Sequence, residues 1–143
     1  MIEIEVGNKK VRFNTNKPYD RQGDIYFVEL DPSDIPDGLL ELDLGECVLG
    51  LGETSGHLHS VDNAVWLCTE DVDKAVLDKF ALTGDQGDDG SLAGSFFFKV
   101  NCDTEVRHTA DHDPIPVRGG GVYFVWRQRV FDPYSRMNMF VRD

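Results

Sequence analysis

Long apolar runs are missing from this 143-residue chain. No stretch of about 18 consecutive apolar residues occurs, so no transmembrane helix is expected. Basic residues are scarce: 14 Lys and Arg stand against 26 Asp and Glu, for a formal net charge of −12. A surface of that sign repels phosphate backbones and anionic lipid, so neither nucleic acid nor a membrane is expected as a partner. Cysteine is sparse. Cys47, Cys68 and Cys102 form an odd, widely spaced set without a C-x-x-C, which argues against a disulfide framework and for reduced, buried thiols. The start, Met1-Ile-Glu-Ile-Glu-Val, lacks the basic residues and apolar stretch of a secretory leader. The expected location is the cytoplasm, or a virion assembled inside a cell.

Several catalytic signatures are absent too. Gly50-Leu51-Gly52 is a glycine pair and not G-x-G-x-x-G opening a helix. Gly119-Gly120-Gly121 lacks the lysine and the following helix of a phosphate-binding loop. Ser55 and His57 stand too close in sequence to be read as parts of a triad. The segment Gly84 to Ser91 is rich in Asp and Gly but lacks the ligand spacing of a calcium loop.

What remains is a globular composition, 41% hydrophobic and 10% aromatic, in a length that suits one domain over residues 1–143 with a core of its own. The patterning is mainly β. Ile2, Ile4 and Val6 alternate with glutamates, Gly7-Asn8 signals a turn, and residues 10–13 return as a partner strand. Further strands are expected over 24–30, 39–44, 47–51, 64–68, 95–100 and 122–131, with a last edge strand from 137 to 141, while residues 105–108 lead into a histidine cluster. Asp113-Pro114-Ile115-Pro116-Val117 carries two prolines and is excluded from any central position in a sheet. Val72, Ala75, Val76 and Phe80 repeat at helical spacing and predict one short helix over about 71–80. Arg118 to Gly121 reads as a mobile turn. Many short strands with one helix point to a small β-barrel or a β-sandwich.

All four histidines fall in two short clusters, His57-Leu58-His59 and His108-Thr109-Ala110-Asp111-His112. Imidazole is the commonest ligand of transition metals. An H-x-H pair on a strand turns both rings to one face, close enough to share an ion. His57, His59 and His112, with His108, are therefore the candidate ligands of a divalent transition metal such as zinc, iron, nickel or manganese. Glu53, Asp111 or Asp113 could add a carboxylate or fix a ring tautomer. The competing reading has the same rings making ordinary hydrogen bonds at a strand end. Arg127 and Arg129 alternate with Gln128 and could grip an anionic group, or pair with the abundant aspartates. Tyr26, Tyr123 and Trp66 are candidates for the same face, or plain core residues.

The motifs Gln22-Gly23-Asp24, Gly52-Glu53-Thr54-Ser55-Gly56-His57-Leu58-His59, His112-Asp113-Pro114-Ile115 and Gly121-Val122-Tyr123 with Arg127-Gln128-Arg129 and Asp132-Pro133 occur in that order. Together they resemble a family of small uncharacterised proteins of bacteria and their phages. The resemblance implies that His57, His59 and His112 stand at that family's histidines. The spacing of His108 and His112, and Val130-Phe131 in place of Glu-Tyr, depart from its pattern. G…H-x-H with a later histidine also resembles the cupin barrels, without the glutamate that usually follows. The expectation is thus a small β protein with a histidine metal site. The alternative is a non-catalytic structural or accessory phage protein that assembles with its own copies or with other particle proteins.

Overall fold

The computed structural model describes residues 1–6, 9–23, 25–43, 45–51, 58–68, 96–109, 112–127, 129–132 and 137–140. The helix expected over 71–80, and His57 and Glu53, lie outside these residues. The elements run β1 (Ile2–Val6), β2 (Lys9–Phe13), β3 (Asp20–Gln22), β4 (Ile25–Glu29), a 3-10 turn (Pro32–Asp34), β5 (Leu40–Leu42), β6 (Cys47–Leu51), β7 (Leu58–Val61), β8 (Ala64–Cys68), β9 (Phe97–Val100), β10 (Thr104–His108), β11 (Ile115–Val117), β12 (Val122–Arg127), β13 (Arg129–Asp132) and β14 (Met137–Phe140). No helix among the described residues is long and apolar enough to cross a membrane.

Two antiparallel sheets make the body. One has six strands in the order β3-β4-β12-β9-β8-β5, the other four in the order β11-β10-β7-β6. Their edges stay open, so of the two architectures expected the molecule is a β-sandwich and not a closed barrel. The β1–β2 hairpin and the β13–β14 pair are separate two-stranded ribbons.

Period-two alternation divides the core. Ile25 and Phe27 of β4, Phe98 and Val100 of β9, and Val125 of β12 meet Leu49, Val61, Val106 and Val117 of the smaller sheet. On the other face of the larger sheet, Val28, Phe97 and Phe124 pack under Ile4, Val11 and Phe13 of the hairpin. The run Phe96-Phe97-Phe98 is thereby explained. β9 is central and covered on both faces here, so Phe97 and Phe98 are both buried although they face opposite sides, while Lys99 reaches out to Glu41 Oε1 (3.0 Å). Each such phenylalanine contributes about 1.5–3 kcal/mol relative to exposure. Both tryptophans are core residues, Trp66 in the first cluster and Trp126 in the second.

The proline-bearing segment keeps out of the sheet centre, as its two prolines require: it forms a strand, β11, at the sheet edge, where Pro116 need not donate to a ladder. Two local features depart from the sequence reading. The single strand expected over 122–131 is two, because the β4 ladder ends at the Arg127–Ile25 pair and β13 pairs with β14 instead. The glycine turn expected to be mobile is tied down. Gly119 N donates to Asp103 Oδ1 (2.7 Å), Gly120 N to Val100 O (2.7 Å) and Arg118 N to Tyr123 Oη (2.8 Å). A Cβ on Gly119 would stand 2.8 Å from Cys102 Cα, so glycine is required there by close packing.

Candidate functional site

Two rows of residues face each other across one end of the sandwich. In the smaller sheet, Gly50 pairs with His59, and His59 with His108, across β6, β7 and β10. In the larger sheet, Gln22 pairs with Ile25, and Ile25 with Arg127, across β3, β4 and β12. Directly paired residues project from the same face. The rows meet because Gly50 has no side chain: a Cβ there would lie 2.5 Å from Ile25 Cδ1. A register shift between Val48 and Gly50, with Leu49 as the extra residue, bends β6 at this place.

The strand register thus places His59 and His108 as cross-strand neighbours, although 48 residues separate them between. Their ring centroids are 4.5 Å apart. His112, on the connection from β10 to β11, brings its ring to 4.7 Å from His108 and 6.0 Å from His59. His59 is fully buried. Its Nδ1 lies 2.9 Å from Gln22 Oε1, and Gln22 Nε2 donates to Val106 O (3.0 Å) and Asp113 O (2.9 Å). His112 Nε2 is buried and has no hydrogen-bond partner. A buried polar nitrogen left in that state costs about 1–3 kcal/mol.

The three rings lie close together. An ion about 2.0–2.1 Å from each imidazole nitrogen sets the centroids of its tetrahedral ligand rings roughly 5 Å apart. Two of the three separations are shorter than that value, and the third is longer. Among the described residues, however, no three His, Cys, Asp or Glu side chains already stand in metal-holding geometry. The thiols do not contribute. Cys47 and Cys68 are in the core, where burial pushes the Cys68 thiol up to about 11 and raises Cys47 as well, while Cys102 is exposed.

Arg127 is buried, at 7% exposure, on the row with Ile25 and Gln22. Arg129 opens β13 in a different sheet, so the alternation that would align it with Arg127 is interrupted. Tyr123 is not with the histidines. It sits at the opposite end of β12, stacked on Phe98 (5.1 Å, 9°), and its hydroxyl donates to Glu29 Oε1 (3.2 Å). Glu29 also accepts from Arg118 Nη2 (3.0 Å) and from Lys17 Nζ. The Arg118 guanidinium, with Lys17, holds its carboxyl down to about 2, while burial pushes the Tyr123 hydroxyl up to about 12. A cleft of about 490 Å³ opens here between Asp20, Asp103 and Tyr123.

Gln22 and Glu29 had no role in the sequence reading. Asp20-Arg21-Gln22 shows no apolar alternation, and the partners of Gln22 lie 84 and 91 residues away. The Gln22-Gly23-Asp24 motif was the one available signal. Gly23, at φ 59°, makes the turn between β3 and β4 that sets Gln22 under His59.

A family model described as a domain of unknown function, DUF8820, matches residues 21–128, a span that includes Gln22, all four histidines and Arg127. No curated protein and no solved structure matches the chain.

Proposed function

We propose that this chain, which belongs to the DUF8820 family of domains of unknown function, holds a divalent transition metal between its two sheets. His59, His108 and His112 are the ligands, with His57 the candidate fourth. The observation that carries this reading is the convergence of three imidazoles around a buried, unpartnered His112 Nε2. An ion held among the rings would supply the missing partner of His112 Nε2. Zinc, iron, nickel and manganese all accept nitrogen ligands of this kind.

His59 is at 0% exposure, which suits an ion that staples the sheets. The second reading is a non-catalytic structural protein, of which a phage particle or accessory component is one case. Detection of the chain in purified phage particles would support that assignment.

Elemental analysis of protein made without an affinity tag tests the metal reading. One ion per chain is expected, lost in the His59→Ala and His112→Ala variants. Metal well below stoichiometry after incubation with each of the four ions, or uptake unchanged in both variants, would overturn it.

A further inference from the structure

We infer that Gln22 is the positioning residue of the histidine site: it holds His59 in the Nδ1–H tautomer and assigns Nε2 as the ligating nitrogen. The inference rests on the metal reading only for the word ligating; the tautomer follows from the hydrogen bonds alone.

The chain of donors and acceptors leaves one solution. Val106 O and Asp113 O are backbone carbonyls and can only accept. They stand 3.0 and 2.9 Å from the same terminal atom of Gln22, so that atom must be the NH2 group, with one hydrogen for each. The reversed amide would set its oxygen against two carbonyl oxygens and lose both bonds. The other terminal atom is then Oε1, which has no hydrogen to give. It faces His59 Nδ1 at 2.9 Å, so Nδ1 carries the proton and donates it. In a neutral ring the lone pair is consequently on Nε2.

The side chain is also held rigidly enough to impose this. Gln22 is 2% exposed, and its three bonds tie β3 at the edge of one sheet to β7, β10 and the Asp113 carbonyl on the other side. It therefore fixes the orientation of the His59 ring and the position of the segment that carries His112. An amide does this without adding charge. A carboxylate could not, because it has no hydrogens for Val106 O and Asp113 O. Partners of this kind behind a ligating histidine typically govern 10–100-fold in metal affinity.

The test is the ¹⁵N NMR signature of the His59 ring in metal-free protein, read alongside zinc titration of wild type and of Gln22→Leu and Gln22→Glu. The expected result is an Nδ1–H ring in wild type, loss of that signature in Gln22→Leu, its retention in Gln22→Glu, whose carboxylate still accepts from Nδ1–H, and zinc binding weakened about 10–100-fold in Gln22→Leu. An Nε2–H ring in wild type would overturn the inference whatever the variants do, so the test survives a variant that fails to fold. An unchanged tautomer in a folded Gln22→Leu protein would overturn it as well. Absence of binding of zinc, iron, nickel and manganese alike, with an Nδ1–H ring in wild type, would overturn the metal reading and uphold the tautomer assignment.

Discussion

The two ends of the sandwich handle buried polar groups in opposite ways. The same strands serve both: β4 carries Ile25 at one end and Glu29 at the other, and β12 carries Arg127 and Tyr123. At the Glu29 end the network is complete within the chain. One carboxylate receives a guanidinium, an ammonium and a phenol, and the phenol oxygen accepts a backbone N–H. At the histidine end three rings are gathered at short range, Gln22 completes one side, and His112 Nε2 has no partner. A self-satisfied network stabilises the fold. An unfinished one costs stability that a bound ligand would restore.

Substitutions break this contrast in a graded way. The largest effect is expected at His59→Ala, which empties a fully buried position and removes the group that Gln22 Oε1 accepts from; a loss of roughly 3 kcal/mol in chemical denaturation is expected. Glu29→Ala comes next, at about 2 kcal/mol, because Lys17 and Arg118 can recover water while Tyr123 loses its acceptor. This end also has its own pH signature. The Glu29 carboxyl is held at about 2 in the folded chain against an ordinary 4.5. Folding therefore favours the ionised form. The stability it adds is complete above 4.5 and drains as pH falls from there toward 2. Denaturation curves across that window should show a smaller acid loss in Glu29→Gln than in wild type.

Tyr123→Phe removes one hydroxyl that serves Glu29 and Arg118 N, and should cost about 1 kcal/mol with no change in metal binding. His112→Ala should be the mildest in metal-free protein, below about 1 kcal/mol, since no hydrogen bond to Nε2 is lost. It should nevertheless abolish metal uptake. A large stability loss in metal-free His112→Ala would place that ring among structural residues and erase the difference between the two ends.

Much of the fold was legible because its signals are local. The alternation of Ile2, Ile4 and Val6 places β1, and Pro114 and Pro116 confine β11 to an edge. The choice between sandwich and barrel was not legible, since it depends on which edges pair across the whole chain. The site was half legible. Clustering singled out the histidines, but the resemblance set His108 apart from its family's spacing, whereas the β7–β10 register makes it the direct neighbour of His59. Gln22 was invisible as a functional residue because its meaning lies in three side-chain hydrogen bonds to distant segments. Tyr123 was grouped with the histidines by residue type, and strand direction puts it at the other end.

The claim that the histidine end is completed by an ion is tested most directly by thermal unfolding of chelator-treated protein with and without zinc. At about 100 times its dissociation constant, a ligand specific for the folded state adds about 2.7 kcal/mol. The account predicts a midpoint raised by several degrees in wild type and in Tyr123→Phe, and unmoved in His112→Ala. No rise in wild type, or an equal rise in His112→Ala, would contradict it.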